Sequence, residues 1–142
     1  MVAQAYVEND IYSQDGMELV CLLYVKALEK VSDACAHLSA GRVKERGGAI
    51  GDAMAIVVEL QSSLDFERGG EIARSLAELY GYIQQRLLEA NVRQSREPLE
   101  EARRLLSTLF EGWCEAREGS LAVTQVPRER EELAAMSSSW TL

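Results

Sequence analysis

Residues 64–91 read LDFERGGEIARSLAELYGYIQQRLLEAN. After the adjacent Gly69 and Gly70, the apolar residues Ile72, Leu76, Leu79, Ile83, Leu87 and Ala90 return at steps of three and four. That spacing stacks side chains on one face of an α-helix. The stretch has no histidine, no cysteine, no serine paired with a base and no phosphate-binding loop. A helix of this kind serves burial, and what it buries against decides the fold.

Three further segments share the rhythm. Residues 16–40 carry Val20, Leu23, Tyr24, Ala27, Val31, Ala34, Cys35 and Leu38 on one face. Asp15 suits the N-cap, Glu18 three positions on completes a near capping box, and Gly41 suits the left-handed residue that ends a helix. Residues 44–66 carry Ile50, Ala53, Met54, Val57, Leu60 and Leu64. Gly47, Gly48 and Gly51 each lower helix propensity there by up to about 1 kcal/mol relative to alanine, which predicts weakly held first turns. The Gly69–Gly70 pair is the expected break before the third helix, which runs to about Arg93. The fourth begins near Ser95, has Pro98 in its first turn where a missing N–H breaks no internal bond, and carries Leu99, Ala102, Leu106, Leu109, Trp113 and Ala116 as far as Gly119.

No segment alternates with period two over a useful length, so no strands are expected. Three short connections make successive helices antiparallel neighbours. The expected fold is all-α, an antiparallel up-down-up-down four-helix bundle over residues 16–118. Residues 1–15, with Tyr6, Val7, Ile11 and Tyr12, are apolar enough to lie against it and are expected to form an N-terminal cap segment. Residues 119–142 combine Pro127, a mixed charge run and a triple serine, the composition of a flexible tail in which residues 129–136 have room for one or two helical turns.

Composition narrows the function. An apolar fraction of 47% and no run approaching a membrane span describe a soluble globular chain with no membrane insertion. The first residues lack a basic stretch followed by an apolar core and cleavage site, which gives a cytoplasmic expectation. Net charge is −8, from 15 basic and 23 acidic side chains, and the densest cations, Arg93, Arg96, Arg103 and Arg104, are offset by Glu97, Glu100 and Glu101. Nucleic-acid binding needs a basic surface and is not expected.

Catalysis is not expected either. His37 is the sole histidine, one turn from a helix end, where the macrodipole favours a cation. It lacks the following lysine that histidine phosphotransfer domains place nearby, Ala40 standing there instead. One histidine rules out a di-iron bundle, and Cys21, Cys35 and Cys114 have no CxxC spacing, so they read as free buried thiols. No metal, cofactor or catalytic residue is assigned.

What exceeds the needs of a bundle is apolar surface. Residues 17–25, MELVCLLYV, are apolar at every position except Glu18, so this part of the first helix is apolar on all sides. Either the N-terminal segment covers it or an amphipathic partner helix enters a groove there. The third helix adds Tyr80 and Tyr82 around Gly81, and Leu88 beside Leu87; tyrosine offers contact area at low entropic cost with a polar tip.

Residues 56–91, IVVELQSSLDFERGGEIARSLAELYGYIQQRLLEAN, resemble the signature of the FliS family of flagellin export chaperones, as do ELVCLLYVKAL in the first helix, AYVEND before it and the leucine-rich fourth helix ending at Trp113. The chain departs from that pattern at Val25-Lys26 and at Gly81. The resemblance implies a cytosolic chaperone that holds the C-terminal segment of flagellin as helices in apolar grooves, prevents premature polymerisation and helps deliver it to the export gate component FlhA. It makes Leu60, Leu64, Leu76, Leu79, Tyr80, Ile83 and Leu87 candidate core or groove residues, with Tyr6, Ile11 and Tyr12 as an intramolecular competitor for the groove. The alternative from another class is a self-associating structural or regulatory bundle, a homodimer with no flagellin client.

Overall fold

A computed structural model of the chain describes the backbone of residues 14–122 and the side chains of 16–117. Among them are four helices, α1 (Gln14–Ala40), α2 (Val43–Ser62), α3 (Phe66–Arg93) and α4 (Arg96–Ala122), and no strand. Each helix packs on two others: α1 on α2 and α4, and α3 on the same pair, so α1 and α3 stand diagonally opposed. Contacts at opposite ends fix the directions. Arg46 at the start of α2 meets Asn91 at the end of α3, and Gln61 at the end of α2 meets Ala77 in the first half of α3. Arg96 reaches Ser39, while the Trp113 indole N–H donates to the Met17 carbonyl at 3.1 Å. The bundle is antiparallel throughout, as the periodicity predicts.

The core is the sum of the four stripes. Tyr24, Val31, Ile50, Val57, Leu60, Ile83, Leu87, Leu99, Leu106 and Leu109 are almost wholly buried. Burying each such aliphatic side chain contributes about 1.5–3 kcal/mol. Ala27, Ala34, Ala53, Ala90 and Ala102 fill the places between them, where small side chains let helices approach closely.

The connections show why the chain turns where it does. Gly41 has φ +72, and behind it the Arg42 N–H reaches the His37 carbonyl at 2.9 Å while the Gly41 N–H reaches Leu38 at 3.2 Å. Such a pair of bonds closes a helix through a left-handed residue. The same device ends α3 without glycine: Gln94 sits at φ 53, and the Ser95 N–H bonds to the Ala90 carbonyl at 3.1 Å.

The turn between α2 and α3 lies earlier than the glycine pair suggests. α2 ends at Ser62, and α3 starts at Phe66 because the Asp65 carboxylate accepts from the N–H groups of Glu67 and Arg68 at 3.0 and 3.1 Å. The expected break survives as a kink, with Gly70 at φ 49 and ψ −122 inside α3. Two further boundaries shift. α1 starts at Gln14, so Asp15 lies within its first turn rather than before it, and α4 continues past Gly119 to Ala122.

The three glycines of α2 do not interrupt its start, and the helix is continuous from Val43. Arg46 explains part of this. Its side chain is buried and donates to the side chain and the carbonyl of Asn91, tying the first turn of α2 to the last turns of α3. The N-terminal cap with Tyr6, Ile11 and Tyr12, and the tail from residue 123, lie outside the described residues.

Candidate partner-binding site

The seven candidate residues of α2, α3 and the turn between them come together on the inner side of that helix pair, but at different depths. Leu60, Leu79, Tyr80, Ile83 and Leu87 are buried core members, whereas Leu64 and Leu76 are half-buried and pack against the core edge. Periodicity alone does not separate these classes, because an inward position and a seam position differ by less than one step around the helix.

Tyr80 is the instructive case. It occupies the core, 3% exposed, and its hydroxyl meets that of Tyr24 on the diagonally opposed α1. Burial pushes both phenols up, Tyr80 to about 12 and Tyr24 well above the ordinary value. The pair spans the bundle interior as a single polar link, and Phe110 packs beside Tyr24 with ring centroids 5.9 Å apart.

The outer surface of the α2–α3 seam is different in kind. Val58 and Leu88 are 45% and 52% exposed, and Val92 is exposed as well. Between the two helices Gln61 donates to the Ala77 carbonyl at 3.0 Å and accepts from Gln84 at 2.8 Å. Val58 lies one turn before Gln61, Gly81 one turn before Gln84 and Leu88 one turn after it, so all line the same seam. A Cβ added at Gly51 or Gly81 would meet nothing within 4 Å. The two bare glycines leave the seam a shallow apolar trough, with the bonded Gln61 and Gln84 amides along it, against which a helix can lie.

The opposite seam, between α3 and α4, is closed by charge. Arg86 reaches Glu97 at 2.8 Å and also pairs with Glu89 and Glu101. The exposed Tyr82 hydroxyl donates to the Glu101 carboxylate at 2.9 Å, and this bond raises the phenol's pKa. Tyr82 thus already has a partner.

The residues considered for chemistry are accounted for structurally. His37 lies in the last turn of α1 beside the Arg42 guanidinium, 3.4 Å away. Cys21 and Cys35 are buried as expected; Cys114 is only half-buried, because position 114 turns toward the edge of α4. Burial, and next the charge of Glu100, push the Cys35 thiol up, which makes it a poor nucleophile. Among the described residues no three histidine, cysteine or carboxylate side chains gather to hold a metal, and no helix is long and apolar enough to cross a membrane.

Sequence reasoning undervalued Val58, Val92 and Phe66, which are among the more exposed large apolar residues. The signal was present: each is an apolar residue on the polar side of an otherwise amphipathic helix, or, for Phe66, at an exposed corner. Leu88, Leu22 and Val25 carry the same signal and were visible in the doubled leucines and in MELVCLLYV.

Fold and surface together define the class: a four-helix bundle with one outer seam closed by charge and another that presents apolar side chains to water. The family model described as "Flagellar protein FliS" matches residues 1–120. The chain is similar to the flagellar secretion chaperone FliS of Salmonella typhimurium, 38% identical over 78% of this chain and 83% of the relative. It is also similar to the flagellar secretion chaperone FliSB of Pseudomonas aeruginosa, 34% identical over 78% of this chain and 87% of the relative, and to FliS of Escherichia coli, 30% identical over 80% and 85%. The chain belongs to the FliS family, a family of flagellar secretion chaperones and not of enzymes.

Proposed function

We propose that this chain is a cytosolic export chaperone that binds the C-terminal segment of flagellin, keeps it from polymerising and passes it to FlhA at the export gate. The observation that carries the reading is the α2–α3 trough, along which Val58, Leu88 and Val92 stand in solvent. A client segment without structure of its own would fold there as a helix, burying the trough and its own apolar face together. Leu64 and Leu76 extend the contact at the end of the bundle, while Leu60, Leu79, Tyr80, Ile83 and Leu87 hold the two helices at the right separation from within. Tyr6, Ile11 and Tyr12 compete for the same surface when no client is bound.

Isothermal titration of the chain with the C-terminal segment of flagellin from the same genome, at two temperatures, tests the reading. A one-to-one complex with a strongly negative heat-capacity change is expected, the mark of apolar burial coupled to folding. No heat at either temperature, with a peptide that another family member binds, would overturn it. A homodimer seen by sedimentation that the peptide fails to dissociate would favour the self-associating bundle instead.

A further inference from the structure

The α2–α3 trough leaves the outward surface of α1 unexplained. Leu22 is 60% exposed and Val25 45%, beside half-buried Leu19 and Leu23. Lys26 follows them in solvent and makes no ion pair among the described residues. An apolar patch edged by Lys26 and, one turn on, by exposed Glu29 calls for an amphipathic segment that carries charges of both signs.

The chain carries one. Residues 123–142, VTQVPREREELAAMSSSWTL, lie beyond the end of the family match at residue 120. Leu133, Met136 and Trp140 follow at steps of three and four, which on a helix is a single stripe, and Glu131 and Glu132 immediately precede it. Position favours the meeting too. Arg117 pairs with Glu18 at 3.1 Å, so the C-terminal end of α4 lies beside the start of α1. From that level Ala122 is roughly 7.5 Å further along and Leu22 roughly 6 Å the other way, at 1.5 Å per residue. Residues 123–132 span up to about 33 Å when extended, enough to bring Leu133 to Leu22 and cross the bundle's side. Tethering supplies a millimolar effective concentration, so a weak contact suffices.

We propose that the C-terminal segment folds back on its own bundle and lays its Leu133, Met136 and Trp140 stripe over Leu22 and Val25 of α1, with its glutamates beside Lys26. This docking is intramolecular and does not rest on the flagellin reading. It gives the chain a covered α1 surface while the α2–α3 trough stays open.

The indole N–H resonances of Trp113 and Trp140, assigned with Trp140→Phe, report the docking in the full chain without any client. Trp140 is expected to differ in shift from the free peptide of residues 123–142, and to move to the free-peptide position in Leu22→Glu, a change at an exposed site that leaves the helical signal intact. Lys26→Glu should move it part of the way. Three results would overturn the proposal. A Trp140 resonance already at the free-peptide position in the unsubstituted chain means no docking. One that differs but ignores Leu22→Glu means a seat elsewhere. One that reaches the free position on dilution, as a dimer dissociates in sedimentation, gives the patch to a second copy.

Discussion

On its α4 side, α3 presents Arg86 to Glu89, Glu97 and Glu101, and Tyr82 adds a bond to the last of these. On its α2 side the same helix offers Leu88, Val92 and the bare Gly81, with Gln84 bonded to Gln61 of α2. One seam spends its polar groups at the surface and so presents water with charge; the other bonds its amides to each other and presents water with hydrocarbon. A single helix can therefore lock one neighbour and keep its other edge available to a partner. The lesson is that position around α3, more than its composition, divides the charged seam from the apolar one, to which the proposed function assigns the client.

The substitution with the largest expected effect falls between the two seams. Leu87→Ala removes a fully buried side chain on which both depend, and should lower unfolding free energy by about 2–5 kcal/mol in urea melts. A loss of client binding in that variant would follow from stability and would not distinguish the seams. Tyr80→Phe comes next. It leaves the buried Tyr24 hydroxyl unsatisfied, at a cost of about 1–3 kcal/mol.

The same pair predicts an alkaline transition. Unfolded phenols titrate near pH 10, whereas folded Tyr80 does so at about 12 and Tyr24 is raised as well. As pH rises, the unfolded state gives up these protons first. The contribution is thus intact below about pH 10 and lost as pH climbs through about 12. Urea midpoints across that window should fall in the natural chain, and Tyr80→Phe should fall less steeply.

Arg86→Gln sharpens the comparison directly. Its loss of melting temperature should be smaller, should shrink as salt is added because partly exposed ion pairs are screened, and should leave client affinity unchanged. If affinity fell with it, the α3–α4 seam would belong to the binding surface and the division drawn above would fail. The smallest effect on stability is expected from Val58→Glu or Leu88→Glu, within about 0.5 kcal/mol at these exposed positions. Their client affinity should nevertheless drop roughly tenfold, about 1.4 kcal/mol, because the complex would bury an unpaired carboxylate.

Much of this architecture was legible in the residue pattern. Ile72 to Ala90 and Leu99 to Trp113 announce two amphipathic helices, and Gly41 ends α1 where a left-handed residue was due. The α2–α3 turn was harder, since Leu64 continues the stripe of α2 while already lying in the turn. The decisive residue was Asp65, whose carboxylate starts α3 one turn before the glycines. The candidate site was legible as a helix pair but not as a surface. Tyr80 and Leu88 are both apolar enough for either role, and only the packing of α2 and α4 against α3 shows which one meets water.

The hydroxyl contact between Tyr24 and Tyr80 joins helices that are not neighbours along the bundle's rim. Leucines and alanines permit α1 and α3 to slide past each other by a helical turn and still find hydrocarbon. A slip of about 5.4 Å would strand both phenols in the interior without a partner. The pair therefore acts as an index pin that sets the lengthwise position of one diagonal against the other, and with it the height at which α3 carries Leu88 past α2.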